Sequence, residues 1–167
     1  MRLYLLRHGI AERHVSGLPR GDADRRLTPE GRRKMKRIAE TLAARGVTFD
    51  RILTSPYRRA KQSARIVAET LEFKRDIIIT THLEPGGSLD ELVRELAESH
   101  AKRRHILLVG HEPSMSTLIS VLISGQPGAK IAMKKGGLCR LSVDGLRYGR
   151  CATLEWLLPP SQMLSGR

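Results

Sequence analysis

At 167 residues and 18.7 kDa the chain has the size of a single domain spanning residues 1–167, long enough to bury roughly two-thirds of the surface it exposes when unfolded. An apolar fraction of 40% against 28% charged residues excludes a disordered chain, and no apolar run approaches the roughly 18 residues that cross a bilayer. With 30 Lys and Arg against 17 Asp and Glu, the formal charge is +13, so anionic partners, nucleic acid among them, have to be weighed.

Residues 2–7 read as a buried strand, which meets charge too early to be a signal peptide; a cytoplasmic location is expected. Thr28-Pro29-Glu30 supplies an N-cap, a proline for the first turn and an acid near the helix N-terminus. Met35, Ile38, Ala39, Leu42 and Ala43 continue it as one apolar stripe that stops at Gly46. Residues 51–54 form a second strand, and Ser55-Pro56 opens a helix lined by Ala60, Ala64, Val67, Ala68 and Leu71. After a strand at 77–80, Ser88 caps a helix with Leu89, Leu92, Val93, Leu96 and Ala97 on one side. Residues 105–110 have the character of a central strand, followed by a helix over 113–124 and two late strands at 138–143 and 153–158. The alternation predicts an α/β chain: a three-layer α/β/α sandwich with a mostly parallel central sheet and helices on both faces. Cys139 and Cys151 have neither metal-ligand spacing nor the numbers for a disulfide framework, and read as buried thiols.

In open α/β sheets, ligands bind beyond the carboxyl ends of the strands. Arg7-His8-Gly9, Ser55-Pro56-Tyr57-Arg58-Arg59 and Gly110-His111-Glu112-Pro113 all lie there. Each is weak alone, since a single His beside a strand is usually structural. Together they send two histidines and at least one arginine into one crevice faced by helix N-termini expected at 56 and 113. Arginine cannot ligate a cation and no carboxylate accompanies the histidine pair, so the set suits a phosphate-sized dianion rather than a metal.

These segments, with Leu27-Thr28-Pro29-Glu30-Gly31 and the continuation Ala60-Lys61-Gln62-Ser63, resemble the histidine phosphatase superfamily in order and over nearly the whole chain. The short length, Leu-Thr-x-x-Gly and Trp156-Leu157-Leu158-Pro159-Pro160 make it most similar to the SixA-type phosphohistidine phosphatases. The resemblance implies a phosphoglycerate mutase-like fold, no metal and no cofactor. It also implies that His8 is a transiently phosphorylated nucleophile, with Arg7, Arg59 and His111 as the phosphate clamp. Arg59 rather than Arg58 stands directly before Ala-x-Gln. Nearby guanidinium groups are expected to keep His8 unprotonated. Gly9 is expected to let the backbone approach the ligand, and one of Arg25 and Arg26, in the loop overhanging the crevice, Arg25 first, to touch phosphate or guide substrate.

Relatives that hydrolyse alkyl phosphates often carry a proton-donating Glu in a Leu-x-Glu before glycine. Here the segment reads Leu83-Glu84-Pro85-Gly86-Gly87, so proline stands where the acid belongs and Glu84 is one residue early. A phosphoramidate needs less help, because imidazole, with a reference pKa of about 6.5, leaves more easily than alkoxide. Phosphohistidine in proteins is therefore the expected substrate, and small phosphomonoesters the alternative. Glu112 reads as a helix-dipole residue. His14, His82, His100 and His105 have no partners at ligand spacing, and Lys134-Lys135-Gly136-Gly137 is either a rim of the site or a plain hairpin connection. A basic phosphate- or nucleic-acid-binding module is the reading from another class. Arg32, Arg33, Lys34, Lys36 and Arg37 make one helix basic, but aromatic residues amount to only 4% and offer no stacking platform. A solvated helix face suits that charge better, with docking of an acidic phosphoprotein as its alternative.

Overall fold

A computed structural model describes residues 1–13 and 21–165. Strand β1 (Arg2–Arg7) lies beside β4 (His105–Gly110), β4 beside β2 (Arg51–Thr54), and β2 beside the edge strand β3 (Ile78–Ile79), all in parallel. On the other side of β1, β5 (Leu138–Val143) and β6 (Ala152–Leu158) run antiparallel. The result is one six-stranded sheet in the order β3-β2-β4-β1-β5-β6.

Side chains alternate across a strand, so each central strand feeds two cores. Leu3 and Leu5 join Ile106 and Leu108 on one face, under α3 (Leu89–Ser99) and α4 (Ser114–Ser124). Tyr4 and Leu6 join Leu107 and Val109 on the other, under α1 (Pro29–Ala44), α2 (Arg58–Thr70) and a short α5 (Pro160–Leu164). These are the three expected layers. The apolar stripes of the helices are buried much as their spacing predicts, except that Ala43 is exposed. Arg32, Arg33, Lys34, Lys36 and Arg37 form the exposed side of α1.

Four boundaries differ from expectation, the smallest difference being β6, which begins at Ala152 rather than at 153. Helices α2 and α4 begin at Arg58 and Ser114, not at Pro56 and Pro113. Strand β3 is shorter than 77–80, as suits an edge position where Ile79 has no neighbouring strand outside it. Helix α5 is absent from the sequence reading; Pro160 sits in its first turn, where a missing N–H leaves no bond unmade. No helix among the described residues is long and apolar enough to cross a membrane.

One contact docks α1 onto the end of β1. Thr28 caps the helix through Gly31 N–H at 3.0 Å, and the Thr28 N–H donates to the Ile10 carbonyl at 2.9 Å. A Cβ on Gly31 would lie 2.1 Å from that same Ile10 oxygen, which no side-chain movement relieves. Gly31→Ala is therefore expected to destabilise the protein by at least about 2 kcal/mol, read as a lowered urea midpoint at unchanged slope. A midpoint within error of wild type would contradict this docking.

Candidate active site

Register brings the functional side chains together. Arg7 pairs with Gly110 and Thr54 with Val109, so His8, His111 and Ser55 each follow the last paired residue of their strands. The His8 N–H extends the ladder to the Gly110 carbonyl at 3.1 Å, and the Ser55 N–H reaches the Val109 carbonyl at 3.0 Å. The imidazole rings of His8 and His111 lie 4.9 Å apart, both buried.

His8 Nδ1 is 2.7 Å from the Gly9 carbonyl. A carbonyl oxygen only accepts, so Nδ1 carries the hydrogen and Nε2 holds a free lone pair. Arg59 meets that lone pair with its Nε–H at 3.2 Å. Burial, reinforced by the Arg59 and Arg7 guanidinium groups and by Lys135, pushes His8 from its ordinary 6.5 down to about 4, against the Gly9 hydrogen bond. Cationic neighbours thus act in the expected direction, but desolvation is the larger cause.

For His111, burial first and then His8 and Arg59 push the value down to about 3. Its Nε2 is 2.8 Å from Ser55 Oγ, which already accepts the Tyr57 N–H at 3.2 Å. The Ser55 hydroxyl keeps its own hydrogen to donate to Nε2, and in that tautomer the His111 hydrogen lies on Nδ1. Among the described residues Nδ1 is buried without a partner, and so is Arg7 Nε, an arrangement suited to an anion. Arg7 donates its other end to the Met133 carbonyl at 2.8 Å.

The motif Arg59-Ala60-Lys61-Gln62-Ser63 is spent on holding this geometry. Gln62 accepts from Leu27 N–H at 2.7 Å, and Ser63 Oγ accepts from Gly9 N–H at 3.1 Å while donating to the Arg59 carbonyl at 2.8 Å. Arg59 is buried and lies 5.1 Å over the Tyr57 ring, whereas Arg58 is exposed. Tyr57 in turn meets His111 edge-on at 5.2 Å.

Several expectations take a different form. A Cβ on Gly9 would meet Leu27, Met35 and the Gly31 carbonyl at 3.3 to 3.4 Å, so its clearance serves packing against α1, while its backbone orients His8. Arg25 does lie beside the crevice, bound through Nε to the Glu12 carbonyl at 2.6 Å and to Asp22 at 2.7 Å; Arg26 instead pairs with Glu12 in solvent. The amides of Tyr57 and Ser116 are taken by Ser55 and Glu112, so the donors facing the crevice come from side chains more than from helix ends. Glu112 caps α4 through Ser116 N–H at 2.8 Å, and its charge favours the Arg7 cation. Glu84 follows a 3-10 turn over Thr81–Leu83 and makes no side-chain hydrogen bond or ion pair among the described residues. His100 and His105 lie toward the opposite end of the sheet, His105 at the start of β4, and His14 falls outside the described residues.

The Lys134–Gly137 loop rims the site: Gly136 N–H reaches the Arg7 and His8 carbonyls at 3.0 and 3.1 Å, and Arg7 N–H returns to the Gly137 carbonyl. Both cysteines are buried and free, as expected, and burial pushes the Cys139 thiol up to about 12.

Ser55 and Tyr57 lie in a candidate segment but carry no individual role in the sequence, and the Met133 carbonyl and above all Asp22 are additions of the structure. Asp22 oxygens accept from two arginines of the crevice: its carboxylate lies 2.8 Å from Arg59 and 2.7 Å from Arg25, and its backbone carbonyl is 2.7 Å from Arg59. Only its position three residues before Arg25 offered a signal.

Comparison with known proteins gives a family model, histidine phosphatase superfamily (branch 1), matching residues 3–84. An uncharacterized protein of Picosynechococcus is 35% identical over 95% of this chain and 100% of its own length. Phosphohistidine phosphatase SixA of Escherichia coli is 26% identical over 98% of this chain and 96% of its own. Adenosylcobalamin/alpha-ribazole phosphatase of Salmonella typhimurium is 36% identical over 60% of this chain, which spans 52% of that protein. Among solved structures, the protein histidine phosphatase SixA complexed with tungstate superposes with a TM-score of 0.85 at 22% identity, covering 98% of this chain and 99% of that one.

A histidine buried neutral in the fold binds fewer protons than in the unfolded chain between its two pKa values. Stability is therefore full above the ordinary 6.5 and falls as pH drops toward about 4 for His8 and about 3 for His111. Acidification from pH 7 to 5 is expected to cost about 2 kcal/mol per histidine, with a smaller loss in His8→Asn. In the free protein the imidazole C–H resonances of both residues should stay flat from pH 8 to 5.5. A midpoint near 6.5 for either would contradict the burial argument.

Proposed function

Since the chain belongs to the histidine phosphatase superfamily and has its phosphoglycerate mutase-like fold, we propose that it hydrolyses phosphohistidine in proteins through a covalent intermediate on His8. His8 Nε2 attacks phosphorus, the bond to the leaving imidazole nitrogen breaks, and the phosphoryl group passes to His8. Water then cleaves the new P–N bond, releasing orthophosphate and restoring the imidazole. Arg7, Arg59 and His111 donate to the three equatorial oxygens, where charge accumulates in phosphoryl transfer; each such donor is commonly worth about 10²- to 10³-fold in rate.

The observation that carries this substrate is how the carboxylates beside the crevice are disposed among the described residues: Glu84 makes no side-chain contact that would aim it at His8, and Asp22 is bound by two arginines. Burial raises the Asp22 carboxyl, but the Arg25 and Arg59 hydrogen bonds prevail and hold it below its ordinary value. Such a site favours a leaving group that departs without an acid, as imidazole does and an alkoxide does not. Likeness to SixA over nearly the full length of both chains supports the same choice. Exposed Arg58, Lys134 and Lys135 suit an acidic protein carrier for the phosphohistidine. A small phosphomonoester is the second reading, favoured by the likeness to the alpha-ribazole phosphatase.

Incubation with a phosphohistidine protein donor is expected to give rapid phosphate release and an acid-labile phosphoenzyme, with both lost by about 10³-fold or more in His8→Ala. Unchanged turnover in His8→Ala would sink the mechanism. Faster hydrolysis of small monoesters than of phosphohistidine, abolished in Glu84→Gln, would transfer the assignment to the second reading.

A further inference from the structure

The Arg59 guanidinium has five N–H groups, and the structure accounts for three of them. Nε–H points at His8 Nε2, Nη1 donates to the Asp22 backbone carbonyl, and Nη2 donates to the Asp22 carboxylate. Asp22 therefore chelates the far end of the guanidinium through backbone and side chain together, which fixes its plane as well as its distance. The same carboxylate holds Arg25 with its other oxygen, and Arg25 is anchored from behind by the Glu12 carbonyl. Arg59 has a side chain only 5% exposed, against 41% for Asp22, so the carboxylate at the crevice mouth compensates a cation already taken out of water.

We propose that Asp22 is a positioning residue for phosphoryl transfer, holding Arg59 and Arg25 in register so that the Arg59 Nε–H edge faces the space above His8 Nε2. The proposal rests on the reading of this crevice as a phosphoryl site. Among the described residues two N–H groups of Arg59 have no acceptor, and the Nε–H is released when His8 Nε2 bonds to phosphorus. The guanidinium can thus grip a phosphoryl oxygen without letting go of Asp22, and the carboxylate need not leave for substrate to enter. Without Asp22, Arg59 would be tied to the site by a single hydrogen bond to a neutral imidazole and pushed by the Arg25 cation. A donor displaced by about 1 Å in this way can cost on the order of 10²-fold in rate.

The alternative role is a plug, in which the carboxylate occupies the phosphate position and competes with substrate. The full-length chain distinguishes the two. Asp22→Asn keeps the size of the side chain and removes its charge, Asp22→Ala removes both, and Asp24→Asn removes the same charge from the same 3-10 turn over Gly21–Asp24 without touching either arginine. The readouts are kcat, KM, the affinity for orthovanadate by calorimetry, and solvent exchange of the Arg59 Nε–H by NMR. Positioning predicts that both Asp22 variants lose about 10- to 100-fold in kcat and in orthovanadate affinity, with accelerated Nε–H exchange, while Asp24→Asn matches wild type. Tighter orthovanadate binding or faster turnover in Asp22→Asn would establish the plug and overturn the proposal. Values within about twofold of wild type in both Asp22 variants would overturn it as well. If wild type itself forms no phosphoenzyme, the phosphatase reading fails, and the Nε–H exchange still decides whether Asp22 orients Arg59.

Discussion

The parallel register of β1, β4 and β2 is the constraint on which the site depends. Arg7 opposite Gly110 and Val109 opposite Thr54 bring the three strands to their carboxyl ends in step, so the next residues are His8, His111 and Ser55. A slip of one residue would turn every side chain to the other face, exchanging Leu3 and Leu5 with Tyr4 and Leu6 between two differently shaped cores. The packing of α1 to α4 penalises that slip along the whole strand. The accuracy of the histidine pair is thus underwritten by hydrophobic contacts far from either ring.

Electrostatics then fixes what the site can accept. Two imidazoles are buried beside two guanidinium groups and near Lys135, and burial itself keeps the rings neutral. Unpaired donors at His111 Nδ1 and Arg7 Nε remain in the interior. An entering dianion satisfies those donors and relieves the repulsion between the arginines, so affinity for phosphoryl oxygens is built into the unliganded fold. The same arrangement protects the nucleophile, since a proton taken up by His8 would add another charge to a crowded cationic pocket.

Much of the fold was readable because its signals are local. Strand runs, the Thr28 and Ser88 caps and the apolar stripes each lie within a few consecutive turns. Arg7, His8, Arg59 and His111 were readable because they follow strands or sit in a motif of fixed spacing, and Arg59 could be told from Arg58 by its place directly before Ala-x-Gln. What escaped depends on geometry that residue type does not encode. The Met133 carbonyl that receives Arg7 has no signature in its side chain. Asp22 and Asp24 are indistinguishable until a 3-10 turn directs one of them to the arginines. Gly9 was recognised as special for a ligand, yet the atoms that exclude its Cβ belong to α1 and its preceding loop.

The loop before β5 gives the protein an order of completion. Gly136 binds the carbonyls of Arg7 and His8, and Met133 receives the Arg7 side chain, although none of these loop residues contributes a functional side chain. Arg7 and Met133 stand 126 positions apart in the chain, so the supports of the proposed nucleophile are in place only once β5 pairs with β1. His8, Arg59 and His111 without that pairing lack the backbone that seats them. Competence of the proposed site is thus a property of the finished sheet.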